Sequence, residues 1–108
     1  MTKILLSSQF ISAITSGRKI STIRRGHRLY PLGLCILKAK NTEILVTITR
    51  VRYCICKDLT VKDAINDGFE TLEALQIAIK QFYSNITPED DVTIIEFNYN
   101  SQQLSNYS

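Results

Sequence analysis

The chain has a single histidine, three cysteines and no tryptophan, and its first 42 residues contain no acidic side chain. Each scarcity excludes something. The lone His27 has no second histidine with which to build a metal site, and no GxSxG nucleophile turn accompanies it. Cys35, Cys54 and Cys56 are odd in number, and the closest pair is separated by one residue instead of the two of redox and zinc motifs. They read as buried thiols on strands, so neither a metal nor a cofactor is expected. The phosphate-binding patterns GxxxxGK[ST] and GxGxxG, the zinc motif HExxH and the paired HxE and PCxxC of zinc deaminases are all missing. No apolar run approaches the ~18 residues of a membrane span, and the triplet Ile4–Leu6 is too short for a signal peptide, so a cytoplasmic chain without membrane contact is expected.

What is present is ordinary globular material: 108 residues, 44% hydrophobic and 21% charged. That length suits one domain with one modest core. Residues 1–99 are expected to form it, with the polar stretch 100–108 as a flexible tail. The charges are unevenly spread. Residues 1–42 carry eight bases and no acid, whereas residues 43–108 carry five bases and all ten acids, giving +8 against −5. Such a split points to an anionic partner. It is equally what a fold would show if its acidic half closed over its basic half.

The patterning supports an α+β fold. Ser7 or Ser8 can cap a short helix bearing Phe10, Ile11 and Ile14, which Gly17 ends. The segment 19–33 mixes β-formers with Gly26, Pro31 and Gly33 and reads as extended chain entering a turn. LCILKA and EILVTITRVRY are strands about a turn at AKNTE; in the second, Ile44, Val46 and Ile48 share one face. Thr60 and Asp63 have the spacing of a capping box for a short helix closed by Gly68. Thr71 caps a longer helix whose core stripe is Leu72, Leu75, Ile79 and Phe82. DVTIIEFNY is a last strand. Clustered strands without βαβ alternation favour a barrel-like sheet.

The distinctive segment is Ser16-Gly17-Arg18-Lys19-Ile20-Ser21-Thr22-Ile23-Arg24-Arg25. A helix ending in glycine, then lysine, then Thr-Ile-Arg, is similar to the opening motif of ASCH domains. Leu59-Thr60, Asp63-Ala64, Asp67-Gly68-Phe69, Leu72, Tyr83 and Val92-x-Ile94-Ile95-x-Phe97 resemble the family's middle helices and final strand, so the match extends over roughly residues 10–98. The resemblance implies a PUA-like small β-barrel with flanking helices. It further implies an RNA- or nucleotide-binding function, with a basic cleft built by Arg18, Lys19, Arg24, Arg25 and Arg28. Small bacterial relatives with a similar motif deacetylate N4-acetylcytidine with a Lys, a Thr and a Glu. On that alternative Lys19, Thr22 and Asp67 are the matching catalytic residues, Asp67 standing where the family has glutamate. Aspartate is one methylene shorter, so the backbone must come closer by about 1 Å. On a regular strand Lys19 and Thr22 would face opposite ways, so the pairing also requires a turn between them.

Blander readings compete for each residue. Arg18 and Lys19 suit a helix C-terminus, Thr22 an ordinary strand and Asp67 a helix end. His27 suits a solvated or phosphate-facing loop, and Tyr30, Tyr53 and Tyr83 suit base stacking or core packing. RNA, a nucleoside or a nucleotide is the expected partner on either functional reading; a protein-interaction adaptor has little support, because no long exposed apolar stripe remains once the helix faces are assigned.

Overall fold

A computed structural model describes residues 1–99; the expected tail, 100–108, lies outside them. Five strands, β1 (Thr2–Leu5), β2 (Ser21–Arg25), β3 (Gly33–Ala39), β4 (Thr42–Ile55) and β5 (Asp91–Tyr99), form one mixed sheet in the order β1-β3-β4-β5-β2 that curls into a half-barrel. β1 runs parallel to β3, and the remaining neighbours are antiparallel. Three helices, α1 (Ile11–Thr15), α2 (Val61–Asn66) and α3 (Leu72–Phe82), complete the fold. Among the described residues no helix is long and apolar enough to cross a membrane.

The long β4 has one end paired to β3 and the other to β5, and an irregularity between Ile48 and Arg50 lets it bend from one partner to the next. β5 is buried on both faces and separates two cores. Ile95 and Phe97 join Ile4, Ile14, Cys35, Leu37, Val46 and Ile48. Val92 and Ile94 join Leu59, Ala64, Leu75, Ile79 and Ile86 beneath α2 and α3. A strand covered on both sides needs apolar residues on both faces, which Val92 and Ile94 supply on one and Ile95 and Phe97 on the other.

The helix ends follow local chemistry. Asp63 N–H donates to Thr60 Oγ1 at 3.2 Å while Thr60 N–H donates to Asp63 Oδ2 at 2.9 Å, completing the capping box. Arg52 then ties this box to the sheet, its Nη2 2.8 Å from Asp63 and its Nε 2.6 Å from Glu96. Thr71 caps α3 by accepting from Ala74 N–H. Gly17 and Gly68 end α1 and α2 with φ of +86° and +96°. Ser7 departs from expectation: a 3-10 turn, Ser8–Phe10, precedes α1, and the Ser7 side chain makes no cap bond.

Three further differences have physical causes. β1 has no sequence signature, because a four-residue edge strand is too short to establish a period. Cys35 is buried on β3, but Cys54 and Cys56 are only partly buried, and Cys56 opens a 3-10 turn instead of lying on a strand. Phe82 leaves the core stripe of α3 and is 55% exposed.

Candidate functional site

Three backbone hydrogen bonds position the segment after α1. Lys19 N–H donates to Ala13 O at 2.9 Å, Ile20 N–H to Asn66 O at 2.8 Å, and Phe97 N–H to Ile20 O at 2.9 Å. The chain is thereby stitched between α1, the end of α2 and β5 before β2 begins at Ser21. Because Lys19 precedes the regular strand, strict alternation does not force it away from Thr22. Both line one cavity of about 180 Å³, together with Arg24 and Asp67.

The floor of this cavity is a buried ion pair. Lys19 and Asp67 are 3% and 6% exposed. The Lys19 ammonium donates to Asp67 Oδ1 at 2.7 Å and to the Asp67 carbonyl at 3.0 Å, and lies 4.9 Å from the centre of the Phe10 ring. The carbonyl belongs to the end of α2, where a cation satisfies a group that the helix cannot. Gly68 makes the approach possible: a Cβ there would lie 3.3 Å from Lys19 Cβ, and the backbone φ of +96° disfavours any other residue. This close backbone approach lets the short side chain of Asp67 reach the ammonium.

Burial dominates the electrostatics of the pair. It pushes the Lys19 pKa below the ordinary lysine value, outweighing the attraction of Asp67, and neighbouring Arg24 acts in the same direction. Burial likewise pushes Asp67 up to about 6, against the pull of Lys19 and Arg24. Both groups are thus moved towards neutrality, the signature of desolvation exceeding pair attraction.

Thr22 is 8% exposed, and its Oγ1 accepts from Arg24 Nη2 at 3.3 Å. The two stand at i and i+2 on β2, hence on one face. Arg24 Nε is buried with no hydrogen-bond partner among the described residues. The cavity walls are apolar: Leu6, Phe10, Ile23, Phe69, Ile79 and Phe82 contribute. An apolar cleft with a few convergent polar groups of shifted pKa has the composition of a small-molecule site.

The other predicted bases lie elsewhere. Arg25 is engaged by Asn85 Oδ1 at 2.6 Å and Asp90 Oδ2 at 3.1 Å. Arg28 Nε donates to the Arg25 carbonyl at 2.9 Å, and Arg18 borders a separate open groove with Ile20, Ile65, Asn66 and Glu70. Of Arg18, Lys19, Arg24, Arg25 and Arg28, therefore, only Lys19 and Arg24 share the cavity. Folding also brings acids of the second half to four of the eight bases: Glu43 to both Lys3 and Lys38, Asp67 to Lys19 and Asp90 to Arg25. His27 stacks on Tyr53 with ring centres 3.8 Å apart, and the Tyr53 hydroxyl donates to Arg28 O. Among the described residues no cluster of His, Cys, Asp and Glu could hold a metal.

The aromatic walls are not legible in the sequence. Helical spacing places Phe10 and Phe82 on faces turned to the core, and nothing in a helical period reveals that the face ends at a cavity.

Solved structures share this arrangement of elements. An ASCH domain from Lactobacillus crispatus superposes with a TM-score of 0.78 at 14% identity, covering 91% of this chain and 79% of its own. The chain has the ASCH-domain fold. A DUF984 protein from Enterococcus faecalis gives a TM-score of 0.80 at 14% identity, covering 100% of this chain and 83% of its own. An ASCH protein variant from Zymomonas mobilis gives 0.63 at 17% identity, covering 96% and 78%. No protein-family model and no curated protein matches the sequence. The cavity lies between α1, β2 and the α2–α3 junction of this fold.

Proposed function

We propose that this ASCH-fold chain binds RNA or a nucleotide through one base, received by the cavity above Lys19 and Asp67. The observation that carries this reading is the pairing of a polar floor with aromatic walls in about 180 Å³. That volume is below the roughly 300 Å³ at which drug-sized sites begin. It suits a single ring system, with sugar and phosphate left outside. Lys19, Asp67 and the Arg24 guanidinium offer donors and an acceptor to the ring edge, and the phenyl groups offer contact to its faces.

Titrating the protein with nucleosides and with short single-stranded RNA, followed by amide chemical shifts, tests the proposal. Shifts are expected at residues 19–24 and 67–69. Absence of saturable shifts with every base would sink it.

The shifted pKa values of Lys19 and Asp67 favour a second reading, hydrolysis of an N4-acylated cytidine. Arg24 Nη2 donates to Thr22 Oγ1, leaving the hydroxyl proton for transfer to a base, and a Lys19 with lowered pKa can take it. The alkoxide adds to the acyl carbon, Arg24 stabilises the oxyanion, and protonated Asp67 supplies the proton to the departing exocyclic amine. Water then cleaves the acyl-threonine to carboxylate and free hydroxyl. Incubation with N4-acetylcytidine should release cytidine, and Thr22→Val, which keeps the shape of the side chain, should abolish release. No cytidine from the wild type, or equal release from the variant, rejects this reading and leaves binding alone.

A further inference from the structure

Phe82 breaks the pattern of its own helix. Leu75 and Ile79, on the same stripe of α3, are 1% and 6% exposed, whereas Phe82, the last residue of the helix, is 55% exposed. A phenyl ring left in water forgoes apolar burial worth roughly 25 cal/mol per Å². Its position at the cavity rim gives that exposure a use. The Phe82 ring centre lies 6.1 Å from that of Phe10 at 51°, and Phe10 meets Phe69 at 6.4 Å and 71°. Phe10 also has the Lys19 ammonium 4.9 Å from its ring centre. An aromatic row therefore runs from the buried ion pair outward, and its outermost member has much of its ring surface free.

We infer that Phe82 is a specificity-determining residue that stacks on the ligand ring, making the cavity selective for flat nitrogen heterocycles over aliphatic groups of similar size. The inference rests on the base-binding reading above and adds to it the residue that recognises the face of the ring. Lys19, Asp67 and Arg24 can read only the edge. Stacking on aromatic side chains tolerates every base, because every base has a π-face, so Phe82 sets the class of ligand and the polar floor discriminates within it.

The chain contains no tryptophan, so Phe82→Trp introduces a single indole at the rim. Titration with cytidine and with adenosine is expected to quench its emission saturably, while ribose leaves it unchanged. Phe82→Leu, which keeps apolar bulk without a π-face, should weaken nucleoside binding, measured by amide shifts, about 5- to 100-fold. Because the ring is largely exposed, both variants should melt within a few degrees of wild type. If wild type and Phe82→Leu bind nucleosides equally and the indole emission of Phe82→Trp does not respond, the role of Phe82 is overturned and base binding stands. If the wild type binds neither nucleoside, both fall.

Discussion

At the scale of single residues, the decisive feature is that a lysine and an aspartate share a site from which water is almost excluded. Removing one partner of such a pair leaves the other as an uncompensated buried charge, at a cost of about 3–5 kcal/mol. Lys19→Met and Asp67→Leu should each lower stability by that order in urea denaturation. The double variant should recover most of the loss, because two apolar side chains need no charge compensation, yet it should lose ligand binding. Proton linkage gives a second expectation. The folded protein holds the Asp67 proton up to pH about 6, above the 3.8 of an ordinary aspartate. Folded chains thus bind more protons than unfolded ones in this window, and stability falls as pH rises from about 4 to about 6. Denaturation midpoints measured across the window should show this fall in wild type, and Asp67→Asn should flatten it.

At the scale of elements, the site depends on how α2 ends. Gly68 has a positive φ and packs against Lys19, so the same glycine terminates the helix and admits the lysine. Gly68→Ala is expected to cost about 1–2 kcal/mol from the left-handed backbone alone. It should also displace Lys19 and weaken nucleoside binding. Binding lost with little change in melting temperature would place the main effect at the cavity, whereas unchanged binding would show that Lys19 tolerates the added methyl group. On β2, by contrast, neighbouring arginines have separate duties. Arg24 faces the cavity with Thr22, whereas Arg25 is bound to Asn85 and Asp90.

At the scale of the whole molecule, the cations of the basic N-terminal half are divided among the cavity, which takes Lys19 and Arg24, and other surfaces. Several of its cations are met by acids that β4, the α2–α3 junction and the segment before β5 bring across. Affinity for a short single-stranded RNA should therefore depend weakly on salt, unlike binding driven by many phosphate contacts. Arg25→Ala with Arg28→Ala should change nucleoside affinity less than about twofold in isothermal titration, and Arg24→Ala should weaken it about tenfold, the effect of one charge-assisted hydrogen bond. A steep salt dependence shared by all three arginines would instead favour a phosphate-tracking surface.

Much of this fold was written in local chemistry. The Thr60–Asp63 box, the Thr71 cap, the glycine stops at 17 and 68 and the alternation of β4 each depend on residues a few positions apart, so the chain itself announces them. The segment 17–25 could also be singled out for its bases, whereas Lys19, Thr22 and Asp67 are joined as candidates for one site only through the resemblance to ASCH domains. Tertiary structure decided what local pattern does not encode: that β1 pairs parallel to β3, that β5 is covered on both faces, that Arg18, Arg25 and Arg28 stay outside the cavity and that Phe82 stands at its rim. These are outcomes of contacts between residues far apart in the chain. The 48-residue separation of Lys19 and Asp67 shows why: their shared burial, and hence their shifted pKa values, exist only once α2 has been brought against the start of β2.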